Sequence, residues 1–561
     1  MRVVEEAGGH GGLSTATANG KARAAALAAV AGAEALDIEM VTYTSAGRVL
    51  IIGPQDVAVA TARRLAGAVE CTVLADTSAG GRPAGNGVSV IPGRPQRLEG
   101  HLGRFSVTVM DGEREVDLAT LAGPAGGYFD VVLDLATPPS LRREVPPPGY
   151  FAPEDDEKRL EAALAAIPDL AGEFDKPRFF SYDAAICAHG RSGIQACTRC
   201  IDACPTEAIT SLGERIEVDP FLCQGGGSCA TACPTGAIRY AFPRPVELIG
   251  ALRRLLGAYH EAGGGQACVL FHDTSAGAEL VARHAAALPG RVLPVAVEEV
   301  GSVGMDAWLA ILAYGACHVR LLIPASVPAS VARELAHQLG IAREMLEGMG
   351  HAGGRIAMVA GDDMPLALQG LDDLDPPPAA RFAAFDEKRT TVRLAMDHLW
   401  AHAPAPRPST ELSAGAPFGQ VTVDEQRCTL CMACVSVCPA GALLAGGESP
   451  QLRFLEDNCV QCGLCVGACP EDCVTTSPRY LYEATRRRET RVLYEEEPFR
   501  CVGCGKPFAT RRMMDRMLAK LSDHWMFQTP ESRRRLQMCE DCRVRDFYAS
   551  GPSETRTGDR P

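Results

Sequence analysis

The chain has 561 residues, of which 47% are hydrophobic and 22% charged, and its formal net charge is −14. This length predicts about three or four domains, and the acidic balance excludes a general nucleic-acid-binding role. Because no run of about 18 apolar residues is present, the sequence predicts no membrane-spanning helix.

Residues 1–45 are rich in glycine and alanine and predict a flexible or helical leader. The alanine-rich run at 21–36 is weakly apolar and starts late, so a signal peptide is not expected. Residues 46–150 predict an N-terminal Rossmann-like α/β domain, with strands near 48–55, 71–76 and 128–136. The turn after its first strand has one glycine where a dinucleotide fingerprint needs three, so bound NAD or flavin is not expected.

A helical linker is predicted over 151–177, and a first cysteine-rich module over 178–243. The region 245–400 alternates predicted strands (267–273, 318–325 and 355–362) with helices, which indicates a second Rossmann-like α/β domain with a parallel sheet. A proline-rich linker follows over 401–418. The remaining segments are a second cysteine-rich module (419–478), a four-cysteine region (479–550) and a tail (551–561).

The 23 cysteines are concentrated in two stretches, with seven between 187 and 233 and thirteen between 428 and 542. A secreted, disulfide-stabilised protein is normally short and dense in cysteine. Cys-x2-Cys groups in a long, otherwise ordinary chain are instead typical of metal binding in a reducing compartment. We therefore expect a cytoplasmic metal-binding protein.

The second module contains "CTLCMACVSVCP" (428–439) and "CVQCGLCVGACP" (459–470). Iron–sulfur clusters need soft thiolate ligands, and in two-cluster ferredoxins the cysteine before proline ligates the other cluster. Both runs are complete, and the module resembles the bacterial dicluster ferredoxin. That resemblance implies two [4Fe–4S] clusters, one on Cys428, Cys431, Cys434 and Cys469, the other on Cys459, Cys462, Cys465 and Cys438.

The first module departs from this pattern at its start, because nine residues separate Cys187 from Cys197 where the motif has two. The entropic cost of closing a longer loop rises only slowly with its length. We therefore predict a [4Fe–4S] cluster on Cys187, Cys197, Cys200 and Cys233. The alternative is that His189, or no protein group, takes the place of Cys187.

A second departure lies in "LCQGGGSCATACP" (222–234), where Gly226 stands at the position of the second cysteine. The remaining ligands are Cys204, Cys223 and Cys229. Loss of this cysteine resembles the three-iron sites of ferredoxins and related iron–sulfur subunits, so a [3Fe–4S] cluster is favoured. A [4Fe–4S] cluster with a non-cysteine ligand and a site without a cluster stay open.

The C-terminal region has two Cys-x2-Cys pairs, which predict a four-thiolate zinc site on Cys501, Cys504, Cys539 and Cys542. A rubredoxin-like iron site is the alternative. Met513, Met517 and Leu521 recur every four residues and predict a helix between the pairs. The four other cysteines are expected to be small core residues without a metal role: Cys71, Cys268, Cys317 and Cys473.

The segment "VEEVGSVGMDAWLAILAYGACHVRLLI" (297–323) resembles the delta-subunit module of methyl-viologen-reducing hydrogenases, which docks electron-transfer partners. The cluster cysteines of that module are missing here, so a docking scaffold is the favoured interpretation. Arginine runs at 486–488 and 533–535 are typical of solvated faces. The alternative is a docking surface for an acidic redox partner.

The whole arrangement resembles the multi-cluster 4Fe-4S binding proteins encoded with molybdenum formate dehydrogenases in proteobacteria. "FDKPRFFSYDAAICAHGRSGIQACTRCIDACPTEAI" (174–209) and the "FRCVGCGKPF" and "MCEDCR" segments carry this resemblance. It implies two ferredoxin-like dicluster modules flanking the central α/β domain, and a formate dehydrogenase as redox partner.

The predicted function is therefore electron transfer by a polyferredoxin-like subunit, and no catalytic pair or triad is recognisable. Two alternatives stay open. One is a flavin- or NAD(P)-linked oxidoreductase subunit whose α/β domain feeds the clusters. The other is an iron–sulfur sensor or assembly factor.

Overall fold

A computed structural model describes residues 15–30, 38–76, 88–122, 127–447 and 449–549. The first 14 residues of the predicted leader, its segment 31–37 and the predicted tail 551–561 therefore lie outside the described residues. The chain divides into two compact units. The first comprises residues 1–184, 198–343 and 351–402, and the second comprises 185–197, 344–350 and 403–561.

The N-terminal domain of the first unit is built on a five-stranded parallel sheet. Helix α1 (Thr15–Val30) precedes this domain in the chain and packs against the helix Pro245–Glu261 of the central domain. The elements of the N-terminal domain are β1 (Met40–Ser45), β2 (Arg48–Pro54), α2 (Gln55–Leu65), β3 (Glu70–Asp76), β4 (Ser89–Pro92), β5 (Pro95–Glu99), β6 (Ser106–Asp111), β7 (Arg114–Asp117), α3 (Leu118–Ala122), β8 (Val131–Asp134) and β9 (Tyr150–Phe151). The strand order is β4-β3-β2-β8-β9. A separate antiparallel sheet contains β5, β6 and β7.

Strand β2 is buried on both faces, which explains its continuous apolar sequence. Val49 and Ile51 pack into one hydrophobic core, whereas Leu50 and Ile52 pack into another on the opposite face. Strands β2, β3 and β8 lie where the sequence predicts the three strands of this domain.

Two elements connect this domain to the first cysteine-rich module. Helix α4 (Glu157–Ala166) lies in the predicted helical linker, and the Asp156 side chain caps it by accepting hydrogen bonds from the N–H groups of Lys158 and Arg159. Strand β10 (Gly172–Pro177) then pairs antiparallel with β1. Strand β1 falls within the segment predicted to be a leader.

The first cysteine-rich module contains short elements joined by tight turns. They are β11 (Phe180–Tyr182), β12 (Gly190–Arg191), β13 (Ile194–Gln195), α5 (Arg199–Asp202), β14 (Ile209–Ser211), β15 (Ile216–Val218), α6 (Ser228–Ala232) and β16 (Ile238–Tyr240). Strands β11 and β16 pair, as do β12 with β13 and β14 with β15, all antiparallel. The β12–β13 hairpin lies in the segment 185–197, which is part of the second unit.

The central domain of the first unit has a four-stranded parallel sheet, as the sequence predicted. Its elements are α7 (Pro245–Glu261), β17 (Cys268–His272), α8 (Ala276–Arg283), β18 (Val292–Ala296), α9 (Met305–Ala313), β19 (His318–Ile323), α10 (Ala329–Glu347), β20 (Ile356–Ala360), α11 (Met364–Gln369) and α12 (Lys388–Ala401). The order is β18-β17-β19-β20. Strand β18 was not predicted; it contains Pro294 and lies at an end of the sheet, where a residue without an N–H is tolerated.

The second unit contains the second cysteine-rich module and the C-terminal region. Its further elements are β21 (Ser409–Glu411), β22 (Gly419–Val423), α13 (Ala433–Ser436), β23 (Leu443–Ala445), β24 (Gln451–Leu455), α14 (Leu464–Gly467), β25 (Val474–Leu481), α15 (Ala484–Arg488), β26 (Thr490–Glu495), β27 (Pro498–Arg500), β28 (Pro507–Thr510), α16 (Arg511–Leu521), α17 (Pro530–Leu536) and α18 (Glu540–Ala549). The sheets have the orders β21-β25-β22, β23-β24-β26 and β27-β28. Among the described residues, no helix combines the length and apolarity needed to cross a membrane.

Candidate metal centres

Three cysteine loops share one backbone conformation. In each, the second and fourth residues after the first cysteine have positive φ: Leu430 (53°) and Met432 (62°), Gln461 (53°) and Gly463 (83°), and Gly225 (79°) and Gly227 (74°). Non-glycine residues rarely adopt this left-handed conformation. Its recurrence at the same offsets shows that the loop from Cys223 to Cys229 folds like the two complete motifs.

The four Cys-Pro turns are also alike. The third residue after the cysteine has positive φ in every one of them, at Glu207 (53°), Gly236 (74°), Gly441 (60°) and Asp472 (46°). The two modules, which have similar cysteine motifs, therefore also have similar backbone structure. The similarity includes the Cys-Pro turns, which are predicted to deliver a ligand to the neighbouring cluster.

One cavity in the second unit, of about 330 Å³ including its open part, is lined by the first predicted ligand set of that module. Its cysteines include all four of these, namely Cys428, Cys431, Cys434 and Cys469. The N–H of Leu430 donates to Sγ of Cys428 at 3.4 Å. Burial raises the pKa of Cys434 to about 12, so a thiolate at this position needs the positive charge of a metal.

A second cavity of about 360 Å³ is lined by the other set, Cys438, Cys459, Cys462 and Cys465. Here the side-chain amide of Gln461 donates to Sγ of Cys459 at 3.2 Å, and the N–H of Ala442 donates to Sγ of Cys438 at 3.3 Å. Donors aimed at sulfur suit the delocalised negative charge of an iron–sulfur cluster. The residues of both cavities thus fit such clusters.

At the site where Gly226 replaces a cysteine, the three remaining cysteines are neighbours in the first unit: Cys204, Cys223 and Cys229. Burial raises the pKa of Cys229, and the thiols of Cys204 and Cys223 raise it further. A β-carbon added at Gly226 would lie 3.6 Å from Cγ of Pro205. Cys462 occupies the equivalent place beside Pro439 in the second module, where both line the cavity.

The other predicted set of the first module is divided between the units. Cys187 and Cys197 lie in the second unit, whereas Cys200 and Cys233 are buried in the first. His189, the alternative ligand, is buried, and its Nδ1 lies 2.7 Å from the carbonyl oxygen of Cys197. This contact occupies one of the two ring nitrogens of His189.

The nine-residue segment between Cys187 and Cys197 contains the β12–β13 hairpin, which turns at Ser192 and Gly193, both with positive φ. A β-carbon added at Gly467 in α14 would lie 3.4 Å from Cγ2 of Ile194. Burial raises the pKa of Cys462 to about 11, and the Cys197 thiol is among the neighbours that raise it further. This segment therefore packs beside the helix that follows Cys462.

The C-terminal site brings together all four of its predicted ligands. The sulfur atoms of Cys501, Cys504, Cys539 and Cys542 lie within 4.8 Å of one another. Such spacing suits one tetrahedral ion with metal–sulfur bonds of about 2.3 Å. Although burial raises the pKa of Cys501, N–H groups including those of Cys539 and Gly503 outweigh it and lower that pKa to about 6.

Helix α16 confirms the helix predicted between the two cysteine pairs. It also begins beside the first cysteine loop of the second module. Thr510 donates from Oγ1 to the carbonyl of Thr429 at 3.3 Å, and Arg512 donates to the carbonyl of Cys428 at 3.3 Å. The four-cysteine region is therefore anchored to the loop that carries Cys428.

Cys473 is a buried core residue, as the sequence predicted. It also lines the cavity with Cys428, and its Sγ lies 3.4 Å from Sγ of Cys469, a proximity that the sequence did not predict. The three other unassigned cysteines are placed as expected: Cys71 packs against a core, Cys268 is part of one, and buried Cys317 donates to the carbonyl of Leu374.

Two segments of the chain match a known family, described as the 4Fe-4S dicluster domain. The matches cover residues 195–237 and 420–470, one in each cysteine-rich module. No curated protein matches the chain. Together with the four-cysteine group, these domains identify an iron–sulfur protein, and dicluster domains support a role in electron transfer.

Proposed function

We propose that this protein is a cytoplasmic electron-transfer subunit that carries single electrons through four iron–sulfur clusters. The observation that supports this most strongly is the crossed arrangement of the second module. Cys469 lines the cavity of the Cys428–Cys434 loop, and Cys438 lines the cavity of the Cys459–Cys465 loop. Such crossing is the property that makes two clusters close neighbours in dicluster ferredoxins.

When bound, each cluster accepts and donates one electron at a time. The cysteine thiolates hold it, the backbone and amide donors stabilise negative charge on sulfur, and the apolar wall limits access of water. The second cavity illustrates this, because Val421, Leu443 and Leu464 are all buried and line it. Burial, hydrogen bonding and net charge set the reduction potential.

In the first module we assign one [4Fe–4S] cluster to Cys187, Cys197, Cys200 and Cys233. We assign a [3Fe–4S] cluster to Cys204, Cys223 and Cys229. The shared left-handed backbone supports a bound cluster at the second site, and Gly226 supports a missing iron corner. The C-terminal cysteines are assigned to structural zinc, since a single tetrahedral ion fits their spacing.

The partner we propose is a redox protein, and the resemblance described above points to a formate dehydrogenase. Neither α/β domain has the glycine fingerprint of a bound dinucleotide. An electron-transfer subunit therefore accounts for the chain better than an enzyme with its own organic cofactor.

The decisive experiment is metal, sulfide and flavin analysis of anaerobically purified protein, together with its visible spectrum. Three [4Fe–4S] clusters and one three- or four-iron cluster give about 15 or 16 iron per chain, with about one zinc and no flavin. About eight iron would mean that one module is empty, and flavin absorbance would favour the oxidoreductase alternative.

A further inference from the structure

The backbone around Cys223 is held by a lysine from outside its own module. Lys176 lies on β10, and its Nζ donates to the carbonyl oxygens of Cys223 at 2.7 Å and Phe221 at 2.9 Å. The same Nζ lies 4.7 Å from the centroid of the Tyr43 ring. Two carbonyl oxygens and an aromatic face all favour a cation at this position.

The position of this ammonium group is fixed by its neighbours. Tyr43 is buried and donates its own hydroxyl to the carbonyl of Phe221 at 2.6 Å. The Phe221 ring in turn stacks on His101, with a centroid separation of 4.5 Å. The Tyr43 ring and the carbonyl of Phe221 therefore hold the ammonium of Lys176 next to Cys223.

Two groups of opposite charge, Lys176 and Asp219, lie beside the Cys223 loop. Lys176 supplies the positive charge, which two carbonyl oxygens and the face of the Tyr43 ring stabilise. The Asp219 carboxylate accepts the N–H groups of Phe221 at 2.8 Å and Leu222 at 3.2 Å. One cation and one anion therefore flank the same ligand loop.

We infer that Lys176 is a positioning residue that raises the reduction potential of the cluster on Cys204, Cys223 and Cys229, and that Asp219 lowers it. Reduction adds one electron to the cluster and makes or breaks no bond. A nearby positive charge stabilises the added electron, and a nearby negative charge destabilises it. This inference rests on the proposed function, since it requires a cluster at this site.

The test is a redox titration of the full-length protein, followed by EPR. The midpoint potential of this cluster is compared in the wild type, Lys176→Met, Lys176→Arg and Asp219→Asn. Lys176→Met should shift it to a lower value, Asp219→Asn to a higher one, and Lys176→Arg should leave it near the wild-type value. Lys158→Met removes an exposed lysine and serves as the control, with no shift.

An unchanged potential in Lys176→Met with the cluster retained would overturn the inference and leave Lys176 a structural anchor. If Lys176→Met loses the cluster, the other two variants decide, and an unshifted Asp219→Asn is then the contradicting result. Wild-type protein with only about 12 iron, from three [4Fe–4S] clusters, would instead refute the proposed cluster itself.

Discussion

Single residues in the cysteine loops adopt a conformation that costs free energy. Leu430, Met432 and Gln461 are not glycine, yet all three have positive φ between 53° and 62°. Each such residue costs about 1–2 kcal/mol relative to the right-handed region. The conformation curves the chain around a centre, as the N–H of Leu430 beside Sγ of Cys428 shows. A bound cluster would offset the cost through its thiolate bonds.

Gly226 differs from Gly225 and Gly227 in its backbone conformation. Gly225 and Gly227 have positive φ, and a β-carbon at Gly227 would approach Cα of Ser302 to 2.4 Å. Gly226 is outside that region of φ, and its β-carbon would make an ordinary 3.6 Å contact with Pro205. A side chain is therefore tolerated at Gly226 but not at Gly227.

Gly226→Cys should restore the missing thiolate and convert a three-iron cluster into a four-iron cluster. An oxidised three-iron cluster has an odd electron count, so the mildly oxidised wild type should give an EPR signal of about one spin per chain. The variant should gain about one iron, lose that signal and have a lower potential, because the added thiolate brings negative charge. Iron analysis, EPR of anaerobic protein and a redox titration measure these three effects.

Gly226→Ala is the matched control, because it adds the same β-carbon without a thiol and should keep the signal. A wild type that shows no signal and binds a full complement of four irons at this site would contradict the three-iron assignment. It would favour a four-iron cluster with a non-cysteine ligand.

At the scale of elements, the four-cysteine region and the second module meet at one helix. Helix α16 starts with Thr510 as its N-cap, and the Thr510 hydroxyl both accepts the N–H of Met513 and donates to the carbonyl of Thr429. Arg512 pairs with Glu496 at 3.2 Å. The first residues of α16 therefore support the Cys428 loop.

Cys504→Ser should remove the zinc and destabilise residues 498–549 while most of the iron–sulfur absorbance remains. A structural four-thiolate ion contributes directly to folding, so its loss unfolds the region that it holds. Hydrogen exchange should become fast in α16 and α18, and any cluster that is lost should be the one on Cys428. Zinc analysis, visible absorbance and hydrogen exchange are the measurements.

Cys71→Ser is the control for this variant, since Cys71 belongs to no candidate site and its replacement should leave the zinc in place. If the wild type contains no zinc and Cys504→Ser loses iron instead, the four-cysteine site is a fifth redox centre.

At the scale of the whole molecule, the sequence was most informative about sites whose ligands have a fixed spacing along the chain. The resemblance carried by the Cys-x2-Cys-x2-Cys and Cys-Pro motifs implied the four ligand cysteines that line each cavity of the second module, because a loop around a cluster depends on local offsets. The sequence could not predict Lys176 beside Cys223, since the two are 47 residues apart and meet only in the folded domain. The place of Cys473 in the core was predicted, but its position in the cavity with Cys428 was not, because that position depends on the folded turn.

The two modules also differ in the polar groups beside their Cys-Pro turns. In the first module, Oγ1 of Thr206 lies 3.4 Å from Sγ of Cys204, and Oγ1 of Thr235 lies 3.5 Å from Sγ of Cys233. The equivalent positions of the second module are Ala440, a methyl group, and Glu471, whose carboxylate pairs with Arg516. Hydrogen bonds to sulfur raise the potential of a cluster.

We therefore expect the clusters of the first module to be reduced at higher potential than those of the second. In a redox titration followed by EPR, the double variant Thr206→Val and Thr235→Val should lower the potentials of the first module and leave those of the second unchanged. Thr210→Val, at an exposed position of β14, is the control and should shift neither. Equal shifts in both modules, or reduction of the second module first in the wild type, would contradict this order of potentials, because the hydroxyl donors would then not set the difference between the modules.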